Sequence, residues 1–380
     1  MTDLTVAAIQ MDAPVGAVEA NLARAAALVE QAAAKGARLV VVPELFGCGY
    51  EYTDRNFCLA EPLDGPTGTW ICRTAQRLGI HLAGSFPARM AGGDYIVAML
   101  AAPDGRQWVY RKMHVALWEN GYFARGADPV IADTALGRIG LLICWDQVFA
   151  DLAVAYRGRV DLLCIPSSPP VLVGNLEDKG GRLLARMKDR ILGARLDAVG
   201  WFGQATVLQA QSVGVPVVYA ARCGPFRSPI PYGLLFLMSL GPGAMAHVLP
   251  AVGTNFRLSC PLMGRSCIVD RDGTRLAQAG QDDEAVLLAS VRPGAPDRAA
   301  LPPLPRRKTL VPGVPAPILW LDRLAILMGR WHRWRKAKYV VAPDSPRLLS
   351  SDYSPASGQL HKPVEIASYQ PDADCDPRQA

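Results

Sequence analysis

Short apolar runs alternate along the chain with longer stretches in which apolar residues recur every three to four positions. Residues 4–10 (LTVAAIQ) read as a strand. Residues 18–35, rich in Ala with Asn21 near the start and Gly36 as a stop, predict a helix. Residues 37–42 (ARLVVV) form a run of the buried-strand type that ends at Pro43-Glu44. The turn Asp64-Gly65-Pro66 precedes a predicted helix over 67–78. Strands follow at 81–85 and 96–101, and after the turn Pro103-Asp104-Gly105 at 108–111. Residues 138–144 (RIGLLIC) predict another buried strand, a helix begins near Phe149, and 160–165 (VDLLCI) is the next strand. The pattern resumes at 215–220, at 266–270, at the hairpin turn Arg271-Asp272-Gly273 and at 285–291. Strand–helix–strand alternation with paired strands between predicts a layered α/β domain whose sheets are covered on both faces. No internal repeat is visible.

Two long insertions interrupt this pattern. Residues 174–206 are basic and helix-like through 182–195. Residues 225–263 are largely apolar, and 232–254 carry no charge at all, a length that permits a membrane span. Gly241-Pro242-Gly243 and Pro250 break that run, so it predicts two short apolar segments about a turn. Both insertions follow strands near the prospective site, as a lid over a pocket or as a packing surface between subunits. Past residue 291 the character changes. Residues 293–317 are Pro-rich and read as a linker. Residues 318–340 (ILWLDRLAILMGRWHRWRKAKYV) read as a basic, aromatic amphipathic helix, and 341–380 as a disordered tail.

Composition bounds this picture. Half of the 380 residues are hydrophobic and 19% are charged, which suits a large buried core and excludes collagen, coiled coil and a wholly disordered chain. The nine cysteines form no C-x-x-C pair, and no histidine falls near them at zinc-ligand spacing. A reduced thiol set with no metal and no cofactor is the expectation. The amino terminus carries Asp3 early and lacks a basic region before a long apolar run, which predicts no signal peptide and a cytoplasmic location. The net charge of +6 is unevenly placed: residues 305–340 hold nine basic side chains against Asp322 alone, so the remainder is close to neutral.

Three ionisable residues stand at predicted strand ends, where α/β sheets bind their ligands. Glu44 follows LVVVP, Lys112 follows WVYR and Cys144 ends RIGLLIC. Beside a cysteine, a carboxylate can take the thiol proton and an ammonium can stabilise an oxyanion.

With their flanks, these residues resemble the nitrilase, or carbon–nitrogen hydrolase, superfamily. The likeness runs from AAIQMDAPVGAVEANLARAAALVEQAAAKGARLVVVPELFGCGY through YRKMHVALWENGYFARG and GLLICWDQVFADL to VGVPVVYAARCG and MGRSCIVDRDGTRLAQAG. It covers about residues 4–292, so the hydrolase domain is placed at 1–292. The resemblance implies a four-layer αββα sandwich that pairs into homodimers or higher homo-oligomers. It implies a catalytic triad of Glu44, Lys112 and Cys144, with Glu119 as the second glutamate, and a small-molecule amide or carbamoyl compound as substrate. In that scheme Cys144 forms an acyl-thioester, Glu44 is the general base, and Lys112 with the Trp145 backbone N–H holds the oxyanion.

The sequence CWDQ is similar to the amidase and N-carbamoylputrescine amidase branches, and unlike that of nitrile-cleaving relatives. Val148, Ala150 and Asp151 depart from the branch pattern, so the polar contacts of that helix start are expected to be lost. Tyr50, Tyr52, Trp118, Tyr122, Trp145 and Ser167 flank the triad members and are the expected pocket lining. Glu51 reads as a solvated loop charge. A second reading keeps the thioester but resolves it with an amine, as an N-acyltransferase, and a third is a non-catalytic binding scaffold. The helix at 318–340 is expected to dock on its own domain or a partner subunit, or to touch an anionic membrane peripherally. Nucleic acid is the least favoured partner.

Overall fold

Along the first strands most residues are apolar, yet neighbours face different cores. The computed structural model describes residues 3–187, 190–191, 194–195, 197–231, 256–294 and 301–336. The strands are β1 (Leu4–Gln10), β2 (Leu39–Glu44), β3 (His81–Met90), β4 (Gly93–Ala101), β5 (Gln107–Arg111), β6 (Ile131–Thr134), β7 (Gly137–Leu141), β8 (Leu162–Ser167) and β9 (Asn175–Glu177). They continue as β10 (Leu183–Arg186), β11 (Arg190–Ile191), β12 (Ala194–Arg195), β13 (Val217–Ala221), β14 (Pro225–Pro229), β15 (Arg257–Pro261), β16 (Cys267–Val269), β17 (Arg275–Gln278) and β18 (Ala285–Val291). The helices are α1 (Val18–Ala34), α2 (Arg55–Leu59), α3 (Pro66–Leu78), α4 (Ala150–Tyr156), α5 (Ala198–Val213) and α6 (Ala316–Lys336).

Two six-stranded sheets are built, in the orders β18-β1-β2-β3-β4-β5 and β17-β16-β13-β8-β7-β6. The central pairs β1/β2, β2/β3, β7/β8 and β8/β13 are parallel, and the outer pairs are antiparallel. The sheets stack face to face, with β1 and β2 on β13 and β2 also on β8. Because side chains alternate along a strand, Val6, Ala8, Leu39 and Val41 enter the core between the sheets. Ala7, Ile9, Val40 and Val42 face a second core with Ala25 and Val29 of α1 and Ile71 and Ala75 of α3. Helices α4 and α5 cover the other sheet. This is the expected αββα sandwich, and burial on both faces explains why these strands lack a polar alternation.

Three expectations are corrected. The stretch 182–195 contains strands, not a helix: β10 pairs with β9, and β11 with β12. The helix lies later, at α5, where Asp197 caps the start by accepting the Gly200 N–H at 2.9 Å. The two insertions meet in one small sheet, β10-β9-β15-β14. The Pro-rich stretch read as a linker packs on the domain, burying Leu310 and Val311. Thirdly, Cys58 is disulfide-bonded, whereas Cys48, Cys72, Cys144, Cys164, Cys223, Cys260 and Cys267 are free thiols. The uncharged run 232–254 and the tail 341–380 lie outside the described residues. Among the described residues no helix is long and apolar enough to cross a membrane.

Candidate active site

Glu44, Lys112 and Cys144 come together at one end of the sandwich. Glu44 closes β2, past a register shift between Val41 and Glu44. Lys112 follows β5. Cys144 does not end its strand as expected; β7 stops at Leu141, and Cys144 opens the 3₁₀ turn Cys144–Val148 with φ +50°. Glu119 sits in another 3₁₀ turn, Leu117–Gly121, whose first residue has φ +39°. Leu45, next to Glu44, has φ +53°. Left-handed backbone is unfavourable for residues with a Cβ, and it persists only where surrounding bonds over-determine it.

All four side chains are buried. The Lys112 ammonium donates to Glu44 Oε1 at 2.7 Å and to Glu119 Oε2 at 2.8 Å. The two glutamates then differ. Glu119 Oε2 also accepts the Ala116 N–H at 2.8 Å, and its Oε1 accepts the Tyr50 hydroxyl at 2.7 Å. Tyr50 in turn receives the Tyr52 hydroxyl at 2.9 Å. Glu119 is therefore saturated with donors. Among the described residues Glu44 Oε2 accepts no N–H or O–H, and the Cys144 thiol lies beside this carboxylate.

Burial raises the Glu44 carboxyl to about 7, with Lys112 opposing and Glu119 reinforcing the rise. Burial also works against the Lys112 charge, but Glu119 and Glu44 outweigh it and hold the ammonium well above lysine's ordinary value. The Cys144 thiol is pushed well up by burial and by Glu44, against the pull of Lys112 and the Ser167 hydroxyl. The thiol thus stays protonated through neutral pH, while Glu44 gains the carboxylate form that can accept its proton as the pH rises through about 7.

The turn bearing Cys144 is braced by Asp146. Its Oδ2 accepts the Tyr110 hydroxyl at 2.8 Å and the Ile143 N–H at 2.9 Å, and its Oδ1 accepts the His114 N–H at 2.7 Å. One buried carboxylate thus ties together β5, the loop after Lys112 and the nucleophile turn. Gln147 fixes the far side, its Oε1 accepting Thr206 at 2.9 Å and its carbonyl accepting Gln209 at 2.9 Å. The helix start keeps polar contacts, contrary to expectation: Asp151 meets His114 Nε2 at 2.9 Å.

The expected lining residues divide. Tyr50 and Tyr52 reach Glu119 as described, with Trp118 edge-on to Tyr52 at 5.5 Å. Trp145 packs against Phe149 and Phe202, and its buried indole N–H has no partner among the described residues. Ser167, at the end of β8, has a buried hydroxyl that lies beside the Cys144 thiol and the Tyr219 hydroxyl. Tyr122 packs on Phe57 and on His332 of α6, so it supports the wall from behind. Glu51 is not a solvated charge; it accepts Thr53 and pairs with Arg55. Sequence reasoning missed Asp146, Tyr110 and Tyr219, the last with a buried hydroxyl beside that of Ser167. It also missed β14, whose Phe226 packs on Tyr50 and Tyr52 and whose Ser228 accepts the Tyr52 N–H at 2.8 Å. Among the described residues, no group of three or more His, Cys, Asp or Glu is placed to hold a metal.

Comparison with known proteins agrees with this fold. The model of the carbon-nitrogen hydrolase family matches residues 5–297. A chloroplastic omega-amidase of Arabidopsis thaliana is 32% identical over 173 residues, 41% of this chain and 47% of that protein. A nitrilase of Pyrococcus abyssi is 29% identical over 169 residues, 43% of this chain and 64% of that one. The chain thus matches between about half and two thirds of the length of these relatives. Saccharomyces cerevisiae Nit3, a member of branch 10 of the nitrilase superfamily, shares the fold at a TM-score of 0.56 and 20% identity, over 77% of this chain and 91% of its own. With the family model spanning the sandwich and every strand that delivers a site residue, this chain belongs to the carbon–nitrogen hydrolase family.

Proposed function

We propose that the protein is a thiol-dependent amidohydrolase that cleaves a non-peptide C–N bond in a small-molecule amide. The observation that carries this reading is the asymmetry of the two glutamates. Only Glu44 has an oxygen free to take a proton, and it shares Lys112 with a Glu119 that has none. The omega-amidase relatives support an amide substrate.

The chemistry follows from the geometry. The Cys144 sulfur attacks the amide carbonyl carbon while Glu44 Oε2 removes the thiol proton. Lys112 and the Trp145 N–H donate to the oxyanion of the tetrahedral intermediate. The C–N bond breaks, the leaving nitrogen takes the proton from Glu44, and ammonia or an amine departs. Water then attacks the thioester, Glu44 accepts its proton, the C–S bond breaks and the proton returns to sulfur. Splitting one hard hydrolysis into two acyl transfers lowers each barrier. Glu119 keeps Lys112 charged and aimed, a positioning role. Tyr50, Tyr52, Trp118, Trp145, Ser167, Tyr219 and Phe226 would shape the acyl pocket. The one test is product identity: purified protein with a short aliphatic amide should yield free acid and ammonia, with or without added amine. Amide products formed only with added amine would overturn hydrolysis in favour of acyl transfer. Loss of turnover in Cys144→Ala is required in either case.

The family resemblance also makes a homodimer the proposed assembly. The outer face of α6 supports peripheral contact with an anionic membrane. Its inner face (Ile318, Asp322, Gly329) is buried, while Trp320, Leu327 and Trp331 are 55%, 66% and 53% exposed, with Arg323, Arg330 and Arg335 exposed around them. At about 100° per residue these six share one side of the helix. Aromatic anchors among arginines suit the headgroup region of an anionic bilayer.

A further inference from the structure

The family match ends at residue 297, yet both turns that carry the site are covered by chain that comes after it. The first cover is a strap. The Ala150 N–H donates to the Lys308 carbonyl at 3.0 Å, and the Leu310 N–H donates to the Val148 carbonyl at 2.7 Å. Thr309 thereby lies antiparallel to Phe149, directly after the nucleophile turn. Leu310 and Val311 are buried there, and Arg157 donates to the Pro302 carbonyl at 2.6 Å.

The second cover is α6, laid on the turn Leu117–Gly121. The Leu117 N–H, on a residue at φ +39°, donates to Asp322 Oδ1 at 3.0 Å. Asp322 is the acid that stands alone among the nine basic residues of 305–340, and it is buried. Two turns further on, Gly329 lets the helix backbone touch the same 3₁₀ turn: a Cβ there would sit 2.0 Å from the Asn120 carbonyl oxygen and 2.9 Å from the Gly121 nitrogen. Arg333 donates to the Asn120 carbonyl and to the Phe123 carbonyl, the latter at 2.9 Å. His332 and Lys336 meet Asp54 at 3.0 and 2.5 Å. Glu119 is therefore bracketed, with α6 bonded to the residue two before it and to the residue one after it.

We infer that residues 308–336 are a positioning device for the active site, in which the strap fixes the nucleophile turn and Asp322 of α6 fixes the turn that aims Glu119 at Lys112. The physical need is plain. The turn's own bonds hold Ala116, Glu119 and Asn120, but the N–H of its left-handed first residue, Leu117, is held from α6 by Asp322. Without Asp322, the Leu117 N–H loses its partner and that conformation loses its support. Glu119 would then withdraw from Lys112, leaving the ammonium to Glu44 alone. Since Glu119 pushes the Glu44 carboxyl up, its withdrawal lowers the pH at which Glu44 can act as base.

This inference rests on Glu44 serving Cys144 as base, and the experiment separates the two. Full-length wild type, Glu44→Gln, Asp322→Ala, Asp322→Asn and Gly329→Ala are treated with iodoacetamide from pH 5 to 9. Alkylation of the Cys144 peptide is followed by mass spectrometry, with amide turnover and melting temperature measured in parallel. Asp322→Ala and Gly329→Ala are expected to move the alkylation midpoint to lower pH and to reduce kcat by about tenfold with KM little changed, as expected for a small displacement of a catalytic group. Asp322→Asn, whose amide oxygen still accepts the Leu117 N–H, should restore both. Gly329→Ala, which favours a helix intrinsically, carries the test if Asp322→Ala fails to fold. Wild-type kcat and midpoint in both variants, with only the melting temperature reduced, would overturn the positioning role while leaving the mechanism intact. An unchanged alkylation profile in Glu44→Gln would overturn the base assignment and this inference with it.

Discussion

Glu44 and Glu119 grip the same ammonium, and what separates their roles is the company of their second oxygens. Glu119 meets the Tyr50 hydroxyl there, whereas among the described residues Glu44 meets no N–H or O–H and faces the Cys144 thiol. With Glu44 raised to about 7, the acid limb of the pH–rate profile should have its midpoint near neutrality, activity falling as the carboxylate protonates. Glu44→Gln should cost on the order of 10²–10⁴ in kcat, the range for a lost general base. Glu119→Gln should instead shift the acid limb to lower pH, because it removes a charge that raises Glu44; stopped-assay profiles of both variants check this. A second buried carboxyl, Glu61, is also raised to about 7 by burial, while its Oε1 accepts the Thr67 N–H at 2.8 Å at the start of α3. Its folded-state value exceeds its unfolded one, so its stabilising contribution is complete below about 4.5 and is lost as pH rises through 7. Glu61→Gln keeps the acceptor and should raise stability at pH 8 by about 3 kcal/mol, and the melting temperature with it, the gain vanishing by pH 4.5. Thermal melts at the two pH values decide it. The cluster of Glu44, Lys112 and Cys144 was legible because an ionisable residue at or just past the end of an apolar strand has few structural reasons to be there. Asp146 was not, because its partners Tyr110 and His114 are more than thirty positions away in the chain.

At the scale of elements, periodicity located what burial on one side dictates. Strands β1 and β18 and helix α3 fall where the apolar runs and turn residues placed them, to within a residue. The failure at 182–195 is equally physical. Leu183, Leu184, Met187 and Ile191 recur at helical spacing, but β9 offers an edge to which β10 hydrogen-bonds, and tertiary pairing overrides local preference. The nucleophile turn is also an assembly of elements, since Asp146 joins it to β5. Tyr110→Phe removes one of three donors to that buried carboxylate. It should destabilise the protein by about 1–3 kcal/mol and lower kcat more than it changes KM. Denaturant unfolding together with steady-state kinetics tests both halves of that expectation.

For the whole molecule, the sandwich and the C-terminal segment pack as one body, with the strap and α6 lying on the turns that carry Cys144 and Glu119. Composition already marked the segment as foreign to a near-neutral core, but not that its lone acid, Asp322, would be its point of attachment. The outward face of α6 makes a separate prediction. Full-length protein should co-sediment with phosphatidylglycerol vesicles at low salt and release as salt rises. Trp320→Ser with Trp331→Ser should abolish that binding without altering turnover in solution; equal binding to neutral vesicles would contradict the electrostatic part. The central claim remains that Cys144 carries the acyl group from a C–N bond to water. Acid-quenching the enzyme during turnover of a short aliphatic amide and mapping its peptides by mass tests this most directly. The account predicts an acyl adduct on Cys144 that disappears as substrate is exhausted and never forms in Cys144→Ala. Turnover undiminished in Cys144→Ala, or an adduct confined to another cysteine, would contradict it.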